Sequence, residues 1–125
     1  MLGRYRIVRG RRSPDDPLPA GVRQDTRKHT RHVLRPEAGD VERYLDAPGD
    51  AAWKRLAAAY RRTLAARIAK QRPAFDELAR LAREGDLWLG CNCPTNRNPD
   101  VRRCHTVLAL EFLAERYPDL EVIRP

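Results

Sequence analysis

At 125 residues the chain has the length of one domain, and its 42% apolar content is enough for one modest core and too much for a disordered chain. No apolar run approaches the roughly 20 residues of a membrane span, and the basic start lacks the apolar centre of a secretory signal, so a cytoplasmic protein with no membrane partner is expected. The net charge of +8 is concentrated: residues 1–35 hold ten Lys/Arg against three Asp/Glu, or +7, whereas residues 36–125 hold fifteen against fourteen, or +1.

In chain order, Arg4–Arg9 alternates and then runs apolar, which predicts a first strand ended by Gly10. Residues 11–36 carry Pro14, Pro17, Pro19 and Pro36 among Arg, Asp and Thr. They read as a long loop, with a short strand or turn near Thr30–Leu34. A short helix is expected over Glu37–Leu45, broken by Pro48-Gly49. Asp50 then suits the N-cap of a long helix. In that helix Trp53, Leu56, Ala57, Tyr60, Leu64 and Ile68 recur at helical spacing and form a core-facing stripe. Pro73 opens the next helix, whose buried stripe is Phe75, Leu78 and Ala82 and whose C-cap is Gly85. Leu87–Cys91 is a short apolar run after a turn and reads as a buried central strand. Residues 92–100 are a polar loop, and a well-buried helix follows over Val101–Tyr117. Glu121–Arg124 reads as a last short strand. This order implies one α/β domain over residues 1–125, a small, mainly parallel sheet flanked by helices, with a basic strand-and-loop segment over residues 1–35.

The chemistry-bearing residues cluster. Three cysteines, an odd number, lie within fourteen positions, and a secreted disulfide framework shows an even, spread set. In open parallel sheets ligands bind beyond the carboxyl ends of the strands, where Cys91 falls. Cys93 follows in the loop, and Cys104 and His105 open the next helix, whose N-terminus offers unpaired N–H groups and lowers a thiol pKa. Three readings of this cluster compete. Cys91, Cys93, Cys104 and His105 match zinc in identity and number, although their spacing departs from the usual two-residue gaps. Alternatively Cys91, Cys104 and His105 form a reactive thiol site with an acid/base partner. The plainest reading is small buried cysteines beside a capping histidine. His29 and His32, as lone histidines in the basic loop, are expected at the solvated surface.

The basic segment suits phosphate. Arg outnumbers Lys, of which there are only Lys28, Lys54 and Lys70, and Arg suits bidentate phosphate contact. Arg9, Arg11 and Arg12, leaving the first strand toward the sheet edge, and Arg102 and Arg103, beside the last long helix, are the candidate phosphate ligands. A nucleotide or nucleic acid is the expected partner, with a zinc-stabilised, non-catalytic binding module as the alternative. A solvated arginine coat is the plainer reading of the same charge.

The stretch Leu89-Gly-Cys-Asn-Cys-Pro, followed by Cys104-His-Thr-Val-Leu, resembles the family known as domain of unknown function 4326, whose hallmark is a Gly-Cys-x-Cys-x-Pro segment followed by Cys-His and an apolar helix. Tyr60-Arg-Arg, the Leu78–Leu81 helix and the early strand with its Arg- and Pro-bearing loop match more loosely. The chain departs from that pattern in a longer insert, Thr95–Arg103. The resemblance implies a compact α/β fold with a Cys/His site and supplies no activity.

Overall fold

The computed structural model describes all 125 residues. Its sheet has three parallel strands in the order β1-β3-β2, where β1 is Leu2–Arg6, β2 is Val22–Asp25 and β3 is Leu87–Cys91. The register pairs Leu2 with Leu87 and Arg6 with Cys91 on one side, and Val22 with Leu87 and Asp25 with Gly90 on the other. All three strands therefore end at one level, beside Cys91. Four helices complete the domain: α1 (Ala38–Asp46), α2 (Asp50–Lys70), α3 (Arg72–Glu84) and α4 (His105–Arg116). This is the small parallel α/β architecture expected.

The core follows from two periodicities. Side chains alternate across a strand, so Leu87, Leu89 and Cys91 share one face of β3, and all three are buried. Leu2 joins them from β1, and Leu64, Phe75, Leu78, Leu110 and Leu113 close the same cluster from the helices. The stripe read along α2 is the one that packs, with Leu56, Tyr60, Leu64 and Ile68 buried and Trp53 partly so. Arg67 also lies on that face, 8% exposed. It donates to the Val33 carbonyl (2.8 Å) and to Glu37 (2.8 Å), so its buried charge is partnered. The Tyr60 hydroxyl donates to the Leu34 carbonyl at 2.6 Å, tying the long basic loop to the core. Gly85 caps α3 through a backbone bond to the Leu81 carbonyl, as expected.

Several boundaries differ from the expected ones. The first strand begins at Leu2, fully buried against Leu87, and ends at Arg6; Ile7 still donates to the Cys91 carbonyl at 2.9 Å, and Val8 and Arg9 lie beyond the sheet. The loop expected over 11–36 contains a strand, Val22–Asp25, while Thr30–Leu34 forms only turns. Gly21 enters that strand at φ +117°, where a Cβ would lie 2.7 Å from the Asp86 carbonyl oxygen, so glycine is required there. Gly49 occupies the N-cap of α2 and Asp50 is its first residue, with its carboxylate paired to Arg103. The last long helix starts at His105 instead of Val101. Residues 101–103 form a separate 3-10 turn, because the Asp100 side chain accepts from the Arg102 N–H and caps that turn independently. The strand expected over Glu121–Arg124 is reduced to a single bridge of Val122 to Leu2.

Candidate metal centre and its cavity

The site is assembled at the carboxyl end of the sheet. Cys91 is the last residue of β3 and points into the core face. Cys93 lies two residues on, and its bond to Pro94 is cis. Cys104 is the N-cap residue of α4, one position earlier than the first turn where it was expected. Their three Sγ atoms all lie within 4.8 Å of one another, and the Cys91–Cys93 separation is 3.9 Å. All three cysteines are free thiols. A tetrahedral zinc ion with Zn–S bonds of about 2.3 Å sets its sulfurs about 3.8 Å apart. The thiols therefore already stand close to the spacing that one such ion needs.

Neighbouring polar groups hold the sulfurs in place. The Thr106 hydroxyl donates to Cys104 Sγ at 3.1 Å, and Arg4 Nε donates to that hydroxyl oxygen at 2.9 Å. The same guanidinium donates to the Cys93 carbonyl at 2.8 Å, so one arginine from β1 braces both halves of the site. Asn98 is 7% exposed and donates to Cys93 Sγ (3.4 Å) and to the Arg103 carbonyl (2.9 Å). The Thr95–Arg103 segment is thus folded back onto the site. Reciprocal backbone bonds between Thr95 and Asn98 close its turn.

The thiols are not equivalent. Hydrogen bonds from Cys104 and Cys91, and a further one from Asn98, hold Cys93 far below the ordinary thiol value. Hydrogen bonds to Cys104 and Cys93, with burial, push Cys91 up. Cys104 is pulled down by Cys91, but Cys93 and burial outweigh this and raise it. Cys93 is thus the thiol whose neighbours favour ionisation, and Cys91 and Cys104 are the two whose surroundings oppose it. The helix end was expected to favour a thiolate at Cys104. Cys104 is only 2% exposed, and desolvation there opposes ionisation.

His105 stands beside the thiols. Its Nδ1 is 3.8 Å from Cys104 Sγ, and its Nε2 is 2.9 Å from Thr26 Oγ1. With the Thr26 hydroxyl proton directed to the Gly90 carbonyl (3.0 Å), His105 donates from Nε2 and its Nδ1 lone pair faces the thiols. Burial pushes its pKa down to about 4, so the ring is neutral. The mutually close ligand atoms are the three sulfurs, with His105 flanking the group.

A cavity of about 190 Å³ opens over the thiols. One wall is apolar, from Val41, Tyr44, Leu45 and Leu56. The charged side chains of its lining are Arg27, Lys28 and Arg103, with His29 beside them and no carboxylate among them. Each of these cations has a partner outside the lining: Asp25 at 2.8 Å for Arg27, Glu42 for Lys28 and Asp50 for Arg103.

Of the five arginines singled out for phosphate, Arg103 lines this cavity. Arg9 lines a second hollow with Ile7, Val8, Arg27 and Asn92. Arg11 is exposed, Arg12 folds back onto Asp16 (3.2 Å) and the Arg6 carbonyl, and Arg102 is held by Asp100 at 3.1 Å. His29 is exposed, as expected. His32 is not a free surface residue, since it donates to Gln24 Oε1 at 2.6 Å and accepts from the Leu34 N–H at 3.0 Å. Arg27, Lys28, Thr26, Asn98 and Arg4 escaped sequence reasoning. The first three follow β2 directly, and parallel pairing of Asp25 with Gly90 delivers them to Cys91.

No helix is long and apolar enough to cross a membrane. No family model matches the chain, and neither a curated protein nor a solved structure matches it.

Proposed function

We propose that this protein is a zinc-binding module whose Cys91, Cys93 and Cys104 centre floors a cavity that receives the phosphate group of a nucleotide or nucleic acid. The observation that carries the reading is the convergence of three free thiols, from β3, its loop and the cap of α4, within 4.8 Å. Three protein ligands leave one tetrahedral position for water or a ligand. Asn98, Thr106 and Arg4 orient the ligating groups, as partners behind metal ligands do. Three thiolates and a divalent cation sum to −1, and the Arg4 guanidinium beside them balances that charge. Arg27, Lys28 and Arg103 supply the basic rim for phosphate. The Gly-Cys-Asn-Cys-Pro and Cys-His stretches that resemble domain of unknown function 4326 are, on this reading, the two halves of one metal-binding unit.

The test is metal content of protein purified under reducing conditions. About one zinc per chain is expected, lost in Cys91→Ser, Cys93→Ser and Cys104→Ser and retained in His105→Ala. Loss in His105→Ala would make the histidine a fourth ligand. A folded, metal-free protein would overturn the reading.

A second reading, a metal-free reactive thiol, is favoured by the partial exposure of Cys93 and its hydrogen bond from Asn98. It moves the nucleophile from Cys91 and Cys104, both buried, to Cys93. Alkylation at neutral pH separates the two readings: labelling of Cys93 before chelation supports the thiol, and labelling only after chelation supports the metal.

A further inference from the structure

The thiol cavity is not isolated. The open hollow that holds Arg9 shares two residues with it, Arg27 and Asn92, so these side chains form the wall between the two spaces. That wall is tied together, because Arg27 donates to Asn92 Oδ1 at 3.3 Å and Arg6 donates to the Asn92 carbonyl at 3.4 Å. The charged side chains lining the hollow are Arg9 and Arg27, again without a carboxylate. Arg6 and Arg9 are exposed and neither is in a salt bridge, unlike the cations of the deeper cavity. Unpaired, exposed arginines next to a basic-lined cavity are what a chain of phosphates needs: one group enters while its neighbour rests outside.

We infer that the two spaces together form a groove for single-stranded nucleic acid, with one nucleotide turned into the thiol cavity and the adjoining phosphate held by Arg9 and Arg6. This rests on the phosphate reading above and extends it from a single phosphate to a strand. Geometry argues for a strand over a duplex. The thiol cavity is one pocket of about 190 Å³ beside Val41 and Leu56, and a base held in a duplex cannot turn into it. A phosphate run also gives work to the +7 of residues 1–35, most of which the deeper cavity leaves unused.

The experiment measures fluorescence anisotropy of a labelled six-nucleotide single strand, as DNA and as RNA, against metal-loaded protein at about 50 mM salt and at rising salt. Unlabelled nucleoside monophosphate, duplex and an acidic peptide of equal charge serve as competitors. Arg9→Gln is expected to weaken strand binding about tenfold, the worth of one charge-assisted contact, and to lower the salt slope by about 0.7. Monophosphate binding and metal content should stay unchanged in that variant, and Arg6→Gln should act in the same direction. Unchanged strand affinity in both variants, or equal competition by duplex or acidic peptide, would overturn the groove while leaving the phosphate reading standing. Absence of monophosphate binding by metal-loaded protein would overturn the phosphate reading itself, and the groove with it.

Discussion

Thr26→Val probes how the site is held. The Thr26 side chain is 1% exposed and its hydroxyl serves two groups, donating to the Gly90 carbonyl at 3.0 Å and accepting from His105 Nε2 at 2.9 Å. Valine keeps the shape and removes both bonds. The Gly90 carbonyl retains the Thr26 N–H at 3.1 Å, so it is not orphaned. The buried His105 ring loses the hydroxyl as its side-chain acceptor. An unsatisfied buried donor costs about 1–3 kcal/mol, and the added methyl offsets less than about 1 kcal/mol of that. A net loss of about 2 kcal/mol is expected, or about 8 °C in Tm for a domain of this size. Urea denaturation monitored at two wavelengths gives the free energy, and an unchanged m-value shows that the folded state is intact. Thr26→Ser keeps the hydroxyl and sheds only a buried methyl, so it should cost about 1 kcal/mol. Stability should therefore fall in the order wild type, Thr26→Ser, Thr26→Val. A valine variant as stable as the serine variant would refute the bridge, and with it the assignment of the Nε2 proton of His105.

Tyr60→Phe removes the bond to the Leu34 carbonyl without changing the fully buried ring, and should cost about 1–2 kcal/mol by denaturant titration. For pH, burial depresses both His32 and His105 below their ordinary value of 6.5. The unfolded chain then binds protons that the folded chain refuses, so stability is full above pH 6.5 and falls as pH drops toward 4, which thermal melts across that range will show. Gly21→Ala combines a positive φ with a backbone clash at Asp86, so it should lower Tm by more than Gly85→Ala, whose Cβ would meet nothing within 4 Å.

The parts of the molecule that were legible are those whose signals are local. The stripe from Leu56 to Ile68 repeats at helical spacing, and Leu87–Cys91 is an apolar run bounded by polar loops. Both therefore point to their element without knowledge of what they touch. The cysteines were legible as a group because one strand–loop–helix unit carries all three. Strand β2 was not, because Val22–Asp25 is an edge strand with exposed Val22 and Arg23 and shows no buried alternation. Missing that strand hid Thr26, Arg27 and Lys28, which reach the site only through its pairing with β3. Arg9 and Arg12 were visible as charges, but where each would turn depended on partners such as Asp16 and the Arg6 carbonyl. Composition does not encode those contacts. Arg4 reads as part of a strand pattern, and its role in bracing Cys93 and Thr106 follows only from the strand order β1-β3-β2.

X-ray absorption at the zinc edge of the reduced protein addresses the central claim most directly, because it counts the atoms bound to the metal. Three sulfurs at about 2.3 Å and one lighter atom at about 2.0–2.1 Å are expected, with one sulfur fewer in Cys93→Ser. A first shell of nitrogen and oxygen alone, or a sulfur count unaffected by replacing Cys93, would contradict a centre built from Cys91, Cys93 and Cys104.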